Sequence, residues 1–284
     1  MKQSLAFILL FFYSAIALTD NIDIYIRDDV FNDYQRFIGD RNVLSVDDFS
    51  GQSIRRDVVD MIIAQQALAL GGFKHKFIFY PGKINFRNTK MMQSGKLLLS
   101  FDSYWLTDAQ ALNSSLYISD PVIRNGEYIA GFYTSKNNQK ALATTTLADF
   151  SQLTAVSTPR WKTDWQTLKS LPLKELIEEN EWLSMARMVD KGWIDFIIMP
   201  FNSTPDQSFT LEKIHLVPIP KMALLLKDSR HFVISKKHPK ANATLTAINL
   251  GLQKLRAKGA IVKAYTEAGF FVDRKGLTII NQNQ

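Results

Sequence analysis

Ile22, Ile24 and Ile26 alternate with polar neighbours over Asn21–Arg27, which predicts a strand closing on the charged loop Arg27-Asp28-Asp29. Phe31, Tyr34 and Phe37 then recur at helical spacing. Ser53 is placed to N-cap a helix running to about Leu70, with Ile54, Val58, Met61, Ile62 and Leu68 on its apolar face and Gly71-Gly72 to stop it. Lys76–Tyr80 predicts a second strand and Pro81-Gly82 a turn. Asn85–Ser94 predicts a short helix ended by Gly95, and Lys96–Phe101 a third strand. This order of strand, helix, strand, helix, strand predicts a parallel α/β sheet.

Tyr128–Thr134 alternates again, and no helical pattern follows it for about a dozen residues. It reads as a crossing into a second lobe. There, strands are expected at Leu153–Ser157, Ile194–Met199, Lys213–Pro218 and Met222–Leu226. Thr158 and Pro159 suit the N-cap and first position of a helix carrying Trp161, Trp165 and Leu168. Asn180 is placed to cap a helix with Trp182, Met185 and Val189 on one face. A second crossing near Leu224–Ser229 leads to a strand at His231–Ser235. Two helices follow, one with Leu245, Ile248, Leu252 and Leu255 on one face and one over Ala260–Ala268. The segment after Gly269 is expected to fray. The expected divisions are residues 1–17 as a leader, 18–129 as the first part of lobe 1, 130–227 as lobe 2, and 228–284 as a return to lobe 1.

The N-terminus adds a compartment. Met1–Ser4 is short and basic, Leu5–Ile16 is apolar but short for a membrane span, and Ala15-Ile16-Ala17 offers the small residues of a cleavage site. A secretory signal cut after Ala17 and a periplasmic location are expected. The chain has no cysteine, so neither disulfides nor a lipid-bearing cysteine is available. The formal charge of +7 is scattered except at Arg55-Arg56, Lys74/Lys76 and Lys236-Lys237, a poor match to a nucleic-acid stripe. His75, His215, His231 and His238 lack metal-ligand spacing. There is no Gly-x-Ser-x-Gly and no phosphate-binding glycine loop. No metal, cofactor or nucleic-acid partner is expected.

Several motifs occur in a telling order. They are Gln93-Ser94-Gly95-Lys96, Ile118-Ser119-Asp120-Pro121, Met188–Ile197, and His231–Pro239 with its Lys236-Lys237-His238-Pro239 end. Together they resemble type II periplasmic solute-binding proteins, in particular the family 3 group whose members bind amino acids and other small solutes. The resemblance implies an α/β, two-lobed fold in which each lobe is a mainly parallel sheet flanked by helices. It also implies a cleft between the lobes that closes by a hinge. Two features of the amino-acid-binding pattern are missing. The arginine that clamps a carboxylate has no counterpart in Thr107–Leu112, and the aspartate that holds an ammonium is replaced near Pro200.

Ligands of open α/β sheets sit beyond the carboxyl ends of strands. That rule selects four loops, Arg27-Asp28, Asp102–Trp105, Thr158–Trp161 and Pro200–Ser203. The turn Thr158-Pro159-Arg160 suits an anion at a helix N-terminus, with Arg160 reinforcing it and Trp161 beside it. Arg27 is a candidate replacement for the missing clamp, and Arg124 lies beside the crossing. Tyr104 and Trp105 are candidate stacking platforms or hinge packing. Asp102 is a candidate partner for a cationic group, and Phe201 a wall of the second lobe. The expected function is non-catalytic binding of a small polar solute, with an anion among the candidates, by a monomer that serves a membrane transporter or sensor. Two alternatives stand beside it. One is a dehydratase-like enzyme using Asp102 or Asp120 on the same scaffold. The other is an interaction domain whose cleft is filled by Trp105 and Trp161.

Overall fold

The structure, a computed structural model, describes residues 21–82 and 85–282. The leader expected at Met1–Ala17 lies outside the described residues. The first lobe opens with β1 (Ile22–Arg27), α1 (Asp28–Ile38), α2 (Arg56–Leu70), β2 (Phe77–Gly82) and α3 (Asn85–Ser94), followed by β3 (Tyr104–Trp105), α4 (Leu106–Gln110) and β4 (Leu116–Ile123). The second lobe holds β5 (Ile129–Ser135), α5 (Gln139–Leu142), β6 (Thr154–Ser157), α6 (Lys162–Lys169), β7 (Glu175–Glu178) and α7 (Trp182–Asp190), then β8 (Ile197–Pro200), β9 (Phe209–Leu211) and β10 (Ile214–Leu225). The chain then returns through β11 (Arg230–Ser235), α8 (Ala241–Ala257) and α9 (Ala260–Glu267), and ends in β12 (Thr278–Ile279).

The two-lobed α/β architecture is as the sequence implies, but parallel pairing is narrower than expected. It is found at β1–β2, β6–β7 and β10–β12 and at a bridge from Ala155 to Phe196. The strands that carry the crossings pair antiparallel: β11 with β3 and β4, and β5 with β8 and β10. A chain that leaves one sheet and comes back must run its outgoing and returning strands in opposite directions. β5 is buried along its whole length rather than on one face, since it lies between two strands and is covered on both sides.

Several local expectations shift. Lys96–Phe101 forms a single bridge, Leu99 to Ile234, rather than a full strand. Pro81-Gly82 continues β2 opposite Ile26-Arg27 instead of turning. An edge strand tolerates a proline there, because the missing N–H costs no ladder bond when it faces outward. Ser53 sits at φ +62° and α2 starts at Arg56 without a side-chain cap. Asp120-Pro121, which reads as a turn, runs through β4 at an irregular register against β11. The two strands expected at Lys213–Pro218 and Met222–Leu226 are one, β10, with its register broken between Pro218 and Ala223 and Lys221 at φ +60°. β7 went unseen because Glu175–Glu178 brackets only two apolar residues with acids.

The terminal segment is ordered as far as residue 282. It crosses back to the second lobe, where β12 pairs with Met222-Ala223 of β10. Asn281 then imitates one more strand residue: Leu225 N–H donates to its Oδ1 at 2.8 Å, and its Nδ2 donates to the Leu225 carbonyl at 2.8 Å. One apolar cluster joins both lobes, including Ile24, Ile62 and Phe101 from the first and Phe132, Phe150 and Phe196 from the second.

α2 and α8 cross with their backbones in contact. A Cβ on Gly251 would lie 1.8 Å from the Ala67 carbonyl oxygen, and one on Gly71 would lie 1.9 Å from that of Ala247. Neither neighbour is a flexible side chain, so the helices themselves would have to separate. Gly251→Ala gains about 1 kcal/mol of helix propensity, but forced separation of a packed core costs about 1–3 kcal/mol. Chemical denaturation is therefore expected to show a net loss of stability, and an unchanged or raised midpoint would contradict this packing.

Candidate functional site between the lobes

Asp60, on α2, has no accessible surface. Its Oδ2 accepts hydrogen bonds from the Ser103 hydroxyl at 2.6 Å and the Ser103 N–H at 3.1 Å, and from Arg56. Its Oδ1 accepts the Tyr265 hydroxyl from α9. Arg56 also donates to Asp102 Oδ1 at 3.1 and 3.2 Å. Burial works against the Arg56 charge, but Asp60, then Asp102 and Asp57, outweigh it, and its pKa stands well above the usual value. Burial, joined by Asp60, pushes the Tyr265 phenol well up, so it stays a donor.

Arg230 follows the returning crossing as the first residue of β11. Its Nε donates to the Ser103 hydroxyl at 2.9 Å and its Nη2 to the Ser103 carbonyl. Its guanidinium lies 4.6 Å from the centre of the Trp105 ring. Trp105 stacks on Tyr128 at 5.5 Å, and Tyr128 packs on Phe270 at 4.4 Å. Burial, and next the neighbouring Arg56 charge, lower the Arg230 pKa.

The second lobe meets this cluster through α6. Lys162 pairs with Asp108 of α4 at 2.9 Å. Asp228, in the crossing, accepts Thr107 N–H from the first lobe at 3.2 Å and the Thr163 hydroxyl from the second at 3.3 Å. Gly269 abuts the Asn202-Ser203 backbone: a Cβ there would lie 2.3 Å from it, and φ is +74°. Asp164, one residue beyond Thr163, is within electrostatic range of Arg230 but makes no ion pair with it among the described residues. Burial pushes the Asp164 carboxyl up to about 6; Arg230 and its own N–H oppose the rise and Asp108 adds to it.

The residues proposed from the sequence fall into two groups. Asp102 and Trp105 join this cluster. Trp105 already carries Arg230 and Tyr128, so it serves as hinge packing rather than an open stacking platform. The others lie elsewhere or inward. Tyr104 points to the opposite side of β3, where its hydroxyl meets Thr89 at 2.9 Å within a small apolar cluster. Arg27 is held by Asp29, next to Arg55. Arg124 is exposed and its N–H bonds to Glu127. Thr158 is buried with its hydroxyl on Asn180 at 2.9 Å, and caps no helix. α6 begins only at Lys162, which leaves Arg160 on an exposed turn. Trp161 and Phe201 pack into separate apolar clusters of the second lobe. Asp120 bonds to Asn249 and Gln253 of α8, outside the cluster.

Arg56, Asp60, Asp164, Arg230 and Tyr265 were missed. Arg56 and Asp60 show a signal, opposite charges at i, i+4 on a helix face. Nothing local marks the other three. Among the described residues, no group of histidines and acids is placed to hold a metal ion, and no helix is long and apolar enough to cross a membrane. A groove of about 480 Å³ between Leu44, Phe49, Leu70 and Leu255 lies on the outer side of the first lobe and includes none of these residues.

No protein-family model and no curated protein sequence matches the chain. Solved structures do. The Bordetella pertussis BvgS periplasmic VFT2 domain superposes with a TM-score of 0.58 at 13% identity, over 87% of this chain and 92% of that one. The Lactococcus lactis GlnP substrate-binding domain 2, in an open conformation, gives 0.53 at 14%, over 89% and 97%. An ancestral cationic amino acid solute-binding protein gives 0.52 at 18%, over 88% and 95%. The chain therefore has the two-lobed fold of type II solute-binding proteins.

Two measurements test this arrangement. Tyr265→Phe removes a donor to a buried carboxylate, so it is expected to cost about 1–3 kcal/mol of unfolding free energy. Asp164 titrates near 6 when folded against an ordinary value of 3.8. The fold thus favours its neutral form; this contribution is fully present below about pH 4 and is lost as pH rises through about 6. Asp164→Asn, neutral throughout, is expected to gain on the wild type between pH 4 and 7, by at most about 3 kcal/mol. A constant difference across that range would contradict the burial of this carboxyl.

Proposed function

We propose that the protein is a non-catalytic binding protein that takes a small polar solute between its lobes and couples occupancy to hinge closure. The observation that carries this reading is the pair Arg230 and Asp164. They are opposite charges from opposite lobes, both largely withdrawn from water, lying within electrostatic range yet not in contact. Arg230 already holds Ser103 and stands 3.9 Å from Asp102, whereas Asp164 has no donor from another residue among those described, and a ligand between the lobes would supply one. Asp102, at the carboxyl end of the short segment bridged to β11, stands where ligands of this fold class sit. A periplasmic location and a transporter or sensor as the downstream partner belong to the same proposal.

The contacts Lys162–Asp108, Thr163–Asp228 and Gly269 on Asn202-Ser203 favour a second reading. They join the lobes directly through groups of the chain itself, as expected of a signalling or interaction domain that rests closed.

A thermal-shift screen separates the two. The chain, unfolded and refolded to strip carried-over ligand, is tested against amino acids, polyamines, dicarboxylates, sugars and phosphorylated metabolites. A solute at 100 times its dissociation constant should add about 2.7 kcal/mol. Solution scattering should show a ligand-dependent change in radius of gyration. A screen without a stabilising solute removes the binding reading and leaves the resting-closed domain.

A further inference from the structure

We infer that the groove on the outer side of the first lobe binds a small organic anion with an apolar body, an alkyl or aryl carboxylate, and that Lys258 pairs with its carboxylate. The groove includes none of the residues of the interlobe cluster, so it can be filled whether or not the cleft holds a solute. Its volume of about 480 Å³ falls within the range of small-molecule sites. Apolar side chains reach it from four parts of the chain: Leu44, Val46 and Phe49 from the connection between α1 and α2, Leu70 from α2, Leu255 from α8 and Ala260 from α9. Val46, Phe49 and Leu255 are buried, whereas Leu44 and Leu70 stay 52% and 39% exposed. Single exposed leucines are ordinary, but two beside a buried apolar base make a continuous surface that an apolar ligand would cover.

The groove is preformed. The Gln66 amide, on α2, donates to the carbonyls of Val43 at 3.0 Å and Val46 at 2.8 Å. Asn42 Oδ1 accepts the Leu44 N–H at 3.1 Å, and Glu267 of α9 accepts the Phe49 N–H at 2.9 Å. The connection that carries Leu44, Val46 and Phe49 is thus pinned to the helices on both sides of it, and an apolar ligand has little chain to order on entry. The neutral polar side chains that line the groove are spent on the same connection: Gln66 on the two carbonyls above, and the Ser45 hydroxyl on the Asn42 carbonyl at 3.0 Å.

The charged groups then decide the sign of the ligand. On the α9 side, Lys263 donates to the Asp47 carbonyl, pairs with Glu267 at 2.9 Å and has the Asp47 carboxylate within electrostatic range. That cation is matched by acids of its own chain. On the α8 side, Lys254 donates to the Leu70 carbonyl at 3.0 Å and meets no carboxylate among the described residues. Lys258, one turn further along α8 and exposed, has neither a hydrogen-bond nor an ion-pair partner for its ammonium among the described residues. The unmatched charge at the groove is therefore positive and lies on the α8 side. A ligand carboxylate there gains a charge-assisted hydrogen bond, with the Lys258 stem against its apolar body. A cationic ligand would instead meet two like charges. One uncommitted ammonium among the lining residues suits one carboxylate.

The test titrates decanoate, below its micelle concentration, into the full chain by calorimetry. Decyltrimethylammonium and decyl maltoside carry the same apolar chain with a positive and a neutral head. Phosphatidylglycerol vesicles, followed by co-sedimentation, separate a soluble carboxylate from an anionic lipid surface. The expected result is saturable decanoate binding, with the decyl cation weaker by about tenfold or more and no retention on vesicles. Lys258→Glu and Leu44→Ser are each expected to weaken decanoate by about tenfold, and Lys258→Gln by a smaller factor. Lys258 and Leu44 are exposed in the free protein, so all three variants should keep the denaturation midpoint of the wild type. No saturable decanoate binding, equal binding of the decyl cation, binding to vesicles alone, or decanoate binding that Lys258→Glu and Leu44→Ser leave unchanged would each overturn the inference. None of these outcomes bears on solute binding between the lobes, which the thermal-shift screen tests separately.

Discussion

Four hydrogen bonds converge on the buried carboxylate of Asp60, from Arg56, from Ser103 twice, and from Tyr265. They come from α2, from the loop ahead of β3, and from α9, three parts of the chain that are remote in sequence. Removing a carboxylate from water is expensive, and the cost is offset only where its lone pairs are met, as these donors meet them. The arrangement is therefore all or none. If α9 is displaced, Tyr265 leaves; if the Asp102–Trp105 loop shifts, both Ser103 donors go. Ser103 in turn orients Arg230, and Arg230 lies on Trp105. The site between the lobes is in this sense an outgrowth of one satisfied buried charge.

The hinge is built on the same logic of shared partners. Asp228 receives a donor from each lobe, and the Trp105–Tyr128–Phe270 stack draws on the first lobe, the crossing and the C-terminal segment together. Asn281 adds a third connection by holding the terminus to β10. An exposed ion pair such as Lys162–Asp108 contributes little by itself. Its role is positional: it draws the start of α6, and with it Asp164, up to the first lobe. The contacts between the lobes are thus of modest strength.

Much of the architecture was legible in the residues. Ile22, Ile24 and Ile26 gave away a strand with one buried face, and the spacing of Ile248, Leu252 and Leu255 gave away the buried side of α8. The site was legible only in part. Asp102 and Trp105, proposed by the rule that ligands lie beyond strand ends, join the charged cluster between the lobes. Arg56, Asp60, Arg230 and Tyr265 were not proposed, because a buried charge differs from a surface charge only in what surrounds it, and its partners here lie from 4 to more than 200 positions away.

The sequence alone thus determined most of the helices and strands and their order, since these rest on periodicity and on local stop signals that act over a few residues, and the resemblance of its motifs implied the two-lobed fold. Only the tertiary structure decided which strands pair in which direction, that the C-terminal segment crosses back instead of fraying, that Thr158 faces Asn180 instead of capping a helix, and that Trp105 is already occupied. Each of those outcomes depends on contacts between distant segments. A residue's hydrogen bonds and burial are properties of its neighbours in space, and no pattern of neighbours along the chain encodes them.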